Sequence, residues 1–260
     1  MQITFYKYQG TGNDFIIIDC RDIDKNLFTT QIIKKLCDRK FGIGADGLIL
    51  LNNKKGYDFE MIYYNADGNQ STMCGNGGRC IVQFANDIGI HKAKYNFLAI
   101  DGAHEAEINE ENLIRLKMQD VDEVETNATH SILNTGSPHY VQLCNNVKQI
   151  NVDKEGAEIR YSKAFEKNGI NVNFVENIGS YSIYVRTYER GVEAETLSCG
   201  TGVTAAALIS AHNERGFNEI HVQTIGGSLN VDFTKTADKN FRNIYLCGAA
   251  TFVFKGSVNI

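Results

Sequence analysis

Met73-Cys-Gly-Asn-Gly77 and Ser198-Cys-Gly-Thr-Gly202 are two versions of one short phrase, a cysteine followed by a glycine-rich turn. Cys199 follows Cys74 by 125 residues. Working outward, Tyr64-Asn65 matches Tyr188-Glu189 at a spacing of 124. Further out, Thr11-Gly-Asn-Asp-Phe-Ile-Ile-Ile-Asp-Cys20 matches Thr135-Gly-Ser-Pro-His-Tyr-Val-Gln-Leu-Cys144, again at 124. Three separate matches at nearly one spacing make the chain two copies of a unit of about 125 residues, with one indel between Tyr188 and Cys199. Two copies are a duplicated domain, since a solenoid needs more.

The periodicity inside each copy sets the fold class. Residues 3–8 and 14–20 read as strands, with Gly10, Gly12 and Asn13 supplying the turn. A helix is predicted over 30–39, opened by Thr30 and basic at its end, followed by strands at 47–52 and 58–64. Residues 75–88 and 202–213 read as helices, the second apolar nearly all round and therefore buried within its domain. Residues 97–118, 139–150, 171–187 and 219–233 alternate as strands, and Cys247–Phe254 reads as a last strand returning to the first domain. The expected fold is α+β (mixed α/β): two homologous strand-rich domains, each wrapped around a central helix and related by pseudo-twofold symmetry. The expected domains are 1–118, joined by the C-terminal strand 248–260, and 119–247.

Composition narrows the class. With 260 residues, 43% hydrophobic and 22% charged, the chain reads as globular. A net charge of −5 argues against a nucleic-acid or anionic-membrane surface. The alternating start Met1-Gln-Ile-Thr-Phe-Tyr-Lys-Tyr lacks the pattern of a signal peptide, and no apolar run has the length of a membrane span. Seven cysteines, an odd number, then read as reduced thiols in a cytoplasmic protein. Their spacings lack the paired ligands of a metal site. Gly42-Ile-Gly-Ala-Asp-Gly47 matches a dinucleotide fingerprint literally, but it follows a helix and precedes a strand, the reverse of what that site requires.

The two C-G-x-G elements carry the chemistry. Each places a cysteine just before a helix, where the first amides have no intrahelical acceptor and the macrodipole puts partial positive charge. Such a position favours thiolate and doubles as an anion site, which the glycines let a ligand approach closely. One thiolate and one thiol, facing each other across a cleft, suit inversion of a stereocentre by proton transfer, with a base on one face and an acid on the other. A buried pair of core cysteines beside capping glycines is the plainer reading, and duplication at matching positions weighs against it. A redox sensor is a further alternative, although sensors place a resolving cysteine near the reactive one.

Gly10-Thr-Gly-Asn-Asp-Phe15, Phe41-Gly-Ile-Gly-Ala-Asp46, Asn65-Ala-Asp-Gly68, Met73-Cys-Gly-Asn-Gly-Gly-Arg79, Tyr188-Glu-Arg-Gly191 and Glu195-Thr-Leu-Ser-Cys-Gly-Thr-Gly202 together resemble the diaminopimelate epimerase family. The resemblance runs from Gly10 to the ending Gly248-Ala-Ala-Thr-Phe-Val-Phe254. It implies interconversion of LL- and meso-2,6-diaminopimelate without pyridoxal phosphate, any other cofactor or metal, in lysine and peptidoglycan precursor synthesis, by a homodimer. It assigns catalysis to Cys74 and Cys199. It assigns substrate contacts to Asn13, Asn65, Gly75, Asn76, Asn171, Glu189, Arg190, Gly200 and Thr201, and tuning of the cysteines to His139 and Glu189. Glu189 could equally contact the substrate ammonium or hold a thiol protonated. Ser137 stands where many members carry Asn, and Gly47 where some carry a substrate-binding Gln. Both bear on the distal end of the substrate, so a related racemase acting on another amino acid is the neighbouring alternative.

Overall fold

A computed structural model describes residues 1–260. In chain order it contains β1 (Gln2–Gly10), β2 (Asn13–Asp19), α1 (Thr30–Cys37), β3 (Gly47–Asn52), β4 (Phe59–Asn65), α2 (Gly75–Asp87), β5 (Tyr95–Ala99), β6 (Gly102–Ile108) and β7 (Ile114–Lys117). There follow β8 (Val124–Thr126), β9 (Ser131–Asn134), β10 (Pro138–Leu143), α3 (Val152–Arg160), β11 (Asn171–Gly179), β12 (Ser182–Glu189) and β13 (Ala194–Thr196). The chain ends with α4 (Gly200–Ile209), β14 (Gly216–Thr224), β15 (Gly227–Ala237), β16 (Asn240–Gly248) and β17 (Thr251–Asn259). Strands dominate and helices are few and short, which is the α+β class expected from the alternation. The chain divides into two compact units, Met1–Leu116 with Ala249–Ile260, and Lys117–Gly248.

In the first unit the ladder runs β17-β1-β2-β3-β4-β5-β6-β7, with β2–β3 and β4–β5 parallel and all other neighbours antiparallel. In the second it runs β8-β9-β10-β11-β12-β14-β15-β16, with β10–β11 and β12–β14 parallel and the rest antiparallel. The sequence of parallel and antiparallel joints is the same. Even the register repeats: Phe15 pairs with Gly47 and His139 with Asn171, each residue of the second pair lying 124 after its counterpart. One difference is local. Gly10 pairs with Asn13 across a two-residue turn, whereas Asn134 pairs with Pro138 across three residues.

Each unit closes around one helix. In α2 ten residues from Gly75 to Ala85 are buried, among them Ile81, Val82 and Phe84, and the helix packs on β1, β2, β3, β6 and β17. In α4 the run Gly202–Leu208 is buried, packed on strands β9 to β12 and β14 to β16. Glycine permits the close approach in α2, where a Cβ on Gly77 would come within 3.5 Å of Ile49, Met61 and Phe15. A second cluster, around Ile16, Ile18, Ile33, Leu48 and Leu50, sits between the opposite face of β2–β3 and α1. These strands are therefore apolar on both faces, as a doubly covered sheet requires.

Several boundaries differ from the sequence reading. α1 is capped by Thr29, whose side chain accepts from the Ile32 amide at 3.4 Å, one residue before the expected opening at Thr30. α4 begins at Gly200 and stops at Ile209, so Ala211-His-Asn213 lies outside it, and Asn213 instead donates from its backbone N to Asn218 Oδ1 at 2.9 Å and from Nδ2 to Phe217 O at 2.7 Å. The strand expected over 139–150 ends at Leu143, because Asn146 turns left-handed (φ 55) and a 3-10 turn follows at Val147–Gln149. The last strand expected over 247–254 is two strands, β16 ending at Gly248 in the second unit and β17 in the first. α3, between Val152 and Arg160, has no counterpart in the sequence reading.

Candidate active site

Cys74 and Cys199 are the N-cap residues of α2 and α4, both in extended backbone conformation. The first helical hydrogen bonds confirm the placement: Gly78 N donates to Cys74 O at 2.7 Å and Val203 N to Cys199 O at 2.8 Å. Neither cysteine uses its side chain to cap the helix. A Ser or Asp at this position would spend its oxygen on the first-turn amides. A thiol does so poorly, so the Gly75–Gly77 and Gly200–Gly202 amides stay directed at whatever sits at the helix start.

In the first unit the β1–β2 turn is what meets Cys74. Thr11 (φ 50) and Gly12 (φ 84) are both left-handed, the conformation a tight two-residue hairpin needs. Glycine adopts it freely, whereas a β-branched threonine is strained there. Thr11 is held by what its hydroxyl does: it donates to Asn76 Oδ1 at 3.3 Å and accepts from Arg79 Nη2 at 3.2 Å. Arg79 is fully buried and also donates to Asn76 Oδ1 at 3.0 Å and to Gly75 O at 3.2 Å. Asn13 is oriented by its Nδ2, which donates to Asp46 Oδ2 at 2.6 Å. Its Oδ1 therefore faces Asn76 Nδ2 at 3.4 Å and the Cys74 sulfur at 3.7 Å.

Asp46 belongs to a charged network beneath the turn. Arg39 bridges Asp14 at 2.6 Å and Asp46 at 2.7 Å, and Lys7 reaches Asp14 at 2.7 Å. Burial alone would raise the Asp14 pKa, but hydrogen bonds from Arg39 and Lys7 outweigh it and hold the carboxyl well below the usual range. Asn65 ends β4 directly across from Gly47. A Cβ on Gly47 would come 2.5 Å from Tyr63 Cε2 and 2.6 Å from Tyr64 O. The Tyr63 ring thus occupies the space that a side chain at 47 would need, which is why glycine stands there.

In the second unit Cys199 lies 3.4 Å from the Thr201 hydroxyl, and Thr135 Oγ1 donates to Thr201 O at 2.8 Å. Asn171 opens β11 and ties two strand ends together, its Nδ2 donating to Pro138 O at 3.0 Å and its Oδ1 accepting from Arg190 N at 2.9 Å. Arg190 follows β12 and donates from Nη1 to Asn168 O at 3.0 Å, while Glu189 is the last residue of that strand. His139 is fully buried on β10 and receives a hydrogen bond at Nδ1 from Asn173 Nδ2 at 3.1 Å. Burial, helped by the Arg190 charge, pushes its pKa down to about 3, so the ring is neutral near pH 7.

The residues picked from sequence thus fall into two groups, one in each unit: Asn13, Asn65, Cys74, Gly75 and Asn76 in the first, His139, Asn171, Glu189, Arg190, Cys199, Gly200 and Thr201 in the second. The sequence reading missed Thr11, Asp46, Arg79, Thr135 and Asn173, which hold those residues in place. Thr11 and Thr135 are matching positions of the repeated phrases, and Asp46 and Arg79 close two of the phrases that carry the family resemblance, so position in those phrases was the available signal. Burial pushes the thiols of Cys37 and Cys80 up to about 12 and that of Cys20 up to about 11, and it raises that of Cys144, which disfavours thiolate at all four. No cluster of three His, Cys, Asp or Glu side chains is placed to hold a metal ion, and no helix is long and apolar enough to cross a membrane.

The diaminopimelate epimerase family profile matches residues 5–124 and again 131–253, one match to each half of the chain. This chain belongs to the diaminopimelate epimerase family. A diaminopimelate epimerase of Flavobacterium psychrophilum is 53% identical, covering 97% of this chain and 99% of its own length. One from Chlorobaculum tepidum is 43% identical, covering 96% of this chain and 99% of its own. Among solved structures, a phenazine biosynthesis protein of the PhzF family from Bacillus anthracis superposes with a TM-score of 0.80 over the whole of both chains at 16% identity, a likeness of fold.

Proposed function

We propose that this chain interconverts LL- and meso-2,6-diaminopimelate by moving one proton at the α-carbon between two cysteines, with no cofactor. The observation that carries the reading is the pair Cys74 and Cys199, each the N-cap of the buried helix in its own unit. The α-hydrogen of an amino acid is weakly acidic, so removing it needs a good base and a sink for the charge that develops. The partial positive charge at a helix start favours thiolate and so supplies the base. The same first-turn amides, at Gly75–Asn76 and Gly200–Thr201, would hold the substrate carboxylate as negative charge grows beside it. The thiolate takes the α-proton on one face and the second cysteine, as thiol, returns a proton on the other; the reverse reaction exchanges the two roles. Asn13 and Asn76 beside Cys74, and Asn171 and Arg190 at the strand ends of the second unit, would orient the substrate's polar groups, Arg190 pairing a carboxylate. His139 and Glu189 would tune the cysteines.

The same reading makes the protein a cytoplasmic enzyme of lysine and peptidoglycan precursor synthesis and a homodimer. Phe252, Val253 and Phe254 on β17 are each 44–52% exposed, an apolar patch that a second copy would cover.

The test is incubation with LL-diaminopimelate in D2O. The expected result is deuterium at the α-carbon of the product, abolished by Cys74→Ala or Cys199→Ala. No exchange with this substrate but exchange with another amino acid would replace the substrate; no exchange with any would remove the reaction. Sedimentation of the same preparation as a single chain would remove the dimer.

A further inference from the structure

Asn173, on β11, is fully buried. Its amide has one possible orientation. Nδ2 donates to Tyr140 O at 3.0 Å, which a carbonyl oxygen could not do, and Oδ1 accepts from the Thr187 hydroxyl at 2.9 Å. The second Nδ2 hydrogen is left for His139 Nδ1 at 3.1 Å. A ring nitrogen that faces an N–H must be the unprotonated one. His139 is neutral, so its single proton sits on Nε2. That atom is buried and has no hydrogen-bond partner within the protein. Asn173, which holds the ring, abuts the start of α4. A Cβ on Gly202 would collide with Asn173 Oδ1, and Cys199 Cβ lies 3.4 Å from the same point.

We propose that Asn173 is a positioning residue that fixes His139 as the Nε2–H tautomer, so that His139 serves the reaction as a hydrogen-bond donor and not as a base at that nitrogen. The inference rests on the epimerase reading for its consequence in catalysis, not for the tautomer itself. Burying an N–H without a protein acceptor is costly, because the group loses its hydrogen bonds to water and gains none in return. Near a helix start that favours anions, the acceptor it suits is an anionic one, a thiolate or a carboxylate. A histidine free to choose its tautomer would present a lone pair there part of the time and repel the same anion. Thr187 extends the chain of support by holding the Asn173 amide, and Tyr140 O completes it.

The experiment uses the full chain labelled with 15N-histidine. Long-range proton–nitrogen correlation reads the tautomer of each ring, and the His139 signals are those lost in His139→Gln. The expected wild-type pattern is a proton on Nε2 and a bare Nδ1, unchanged from mildly acidic to mildly alkaline pH. Asn173→Asp then places a carboxylate against Nδ1 and draws the proton to that side. The expected result is an inverted tautomer with kcat lower by about 10- to 10⁴-fold, the range seen when an outer partner of a functional histidine is changed, and little change in KM. Where that variant does not fold, Asn173→Leu, which is uncharged and of similar size, should lose kcat in the same range. A wild-type proton on Nδ1 overturns the proposal outright. So does a folded variant with an altered tautomer and kcat within about twofold of wild type. Wild-type deuterium exchange is measured first. Its absence removes the epimerase reading, while the tautomer is read without any substrate.

Discussion

Asp14 shows how a residue that does not touch Cys74 can shape its surroundings. It accepts from Arg39, Lys7 and the Asp46 amide, and Asp46 in turn orients Asn13 against Cys74. Because its folded pKa is depressed, the stability it contributes is fully present above its unfolded pKa and is lost as pH falls toward the folded one. Asp14→Asn should therefore be less stable than wild type in urea at pH 7, and the gap should shrink below about pH 4, the ordinary Asp value, as the unfolded carboxyl takes up its proton. A gap equal at both pH values would mean that the charge contributes nothing. The same residue marks where sequence reading stops. Cys74, Asn13 and Asn76 were legible because they lie in repeated or recognisable phrases. Asp14 lies in one of those phrases too, but its partners Lys7 and Arg39 come from different elements, and no spacing announces the meeting. Asn173 is harder still. A polar residue in an alternating strand looks like a solvent-facing position, and this one is fully buried.

Between residues and units stand the elements, where local preference and packing compete. α3 occupies the place in the second unit that α1 holds in the first, starting 122 residues later. It carries the signals of a helix start: Asn151 accepts from the Lys154 amide at 3.1 Å, and Asp153 and Glu155 fill the first turn. What hides it is Gly156, which reads as a breaker. The glycine is there for contact. A Cβ at 156 would come 2.6 Å from Tyr188 Cγ and 3.0 Å from Cδ2, so the helix rests on β12 with no room for a methyl group. The two effects predict opposite signs. Intrinsic propensity makes Gly156→Ala stabilising by about 1 kcal/mol. Overpacking against a buried tyrosine makes it destabilising by about 1–3 kcal/mol. Tyr188 is only 3% exposed and held in a strand, so it cannot yield cheaply and the clash should win. Chemical denaturation decides the sign, and a stabilised variant would show that α3 lifts off β12 at little expense. The repeat carried a signal that the sequence reading left unused, since a helix at 30–39 in one copy implies one at the equivalent place in the other.

For the whole molecule, duplication explains both what the sequence disclosed and what it concealed. Matching phrases at one spacing disclose two copies, and the identical order of parallel and antiparallel joints follows from a common ancestry of the halves. The phrases themselves do not place the last strand, which the alternation near the C-terminus sends back to the first domain. β17 completes the first unit by pairing with β1 from Gln2↔Asn259 to Gln9↔Thr251, so it takes in that unit the place β8 holds in the other. Both termini meet there, with Met1 N donating to Ile260 O at 2.9 Å and Ile260 N to Met1 O at 3.0 Å. Aromatic packing reinforces the pairing: Phe254 lies edge-on to Phe5 at 5.9 Å and Phe252 to Tyr8 at 5.5 Å. The second unit is continuous in sequence and contains none of these residues. Deleting residues 249–260 should therefore act on one unit. β1 would become an unpaired edge, lose one side of its hydrogen bonding and expose Phe5 and Tyr8. Amide hydrogen exchange should show protection falling along β1 and β2 while β14, β15 and β16 keep theirs. Because β1 leads into the Thr11–Gly12 turn that meets Cys74, deuterium exchange into substrate should fall with it. Loss of protection spread evenly over both units would show instead that the halves fold as one cooperative body.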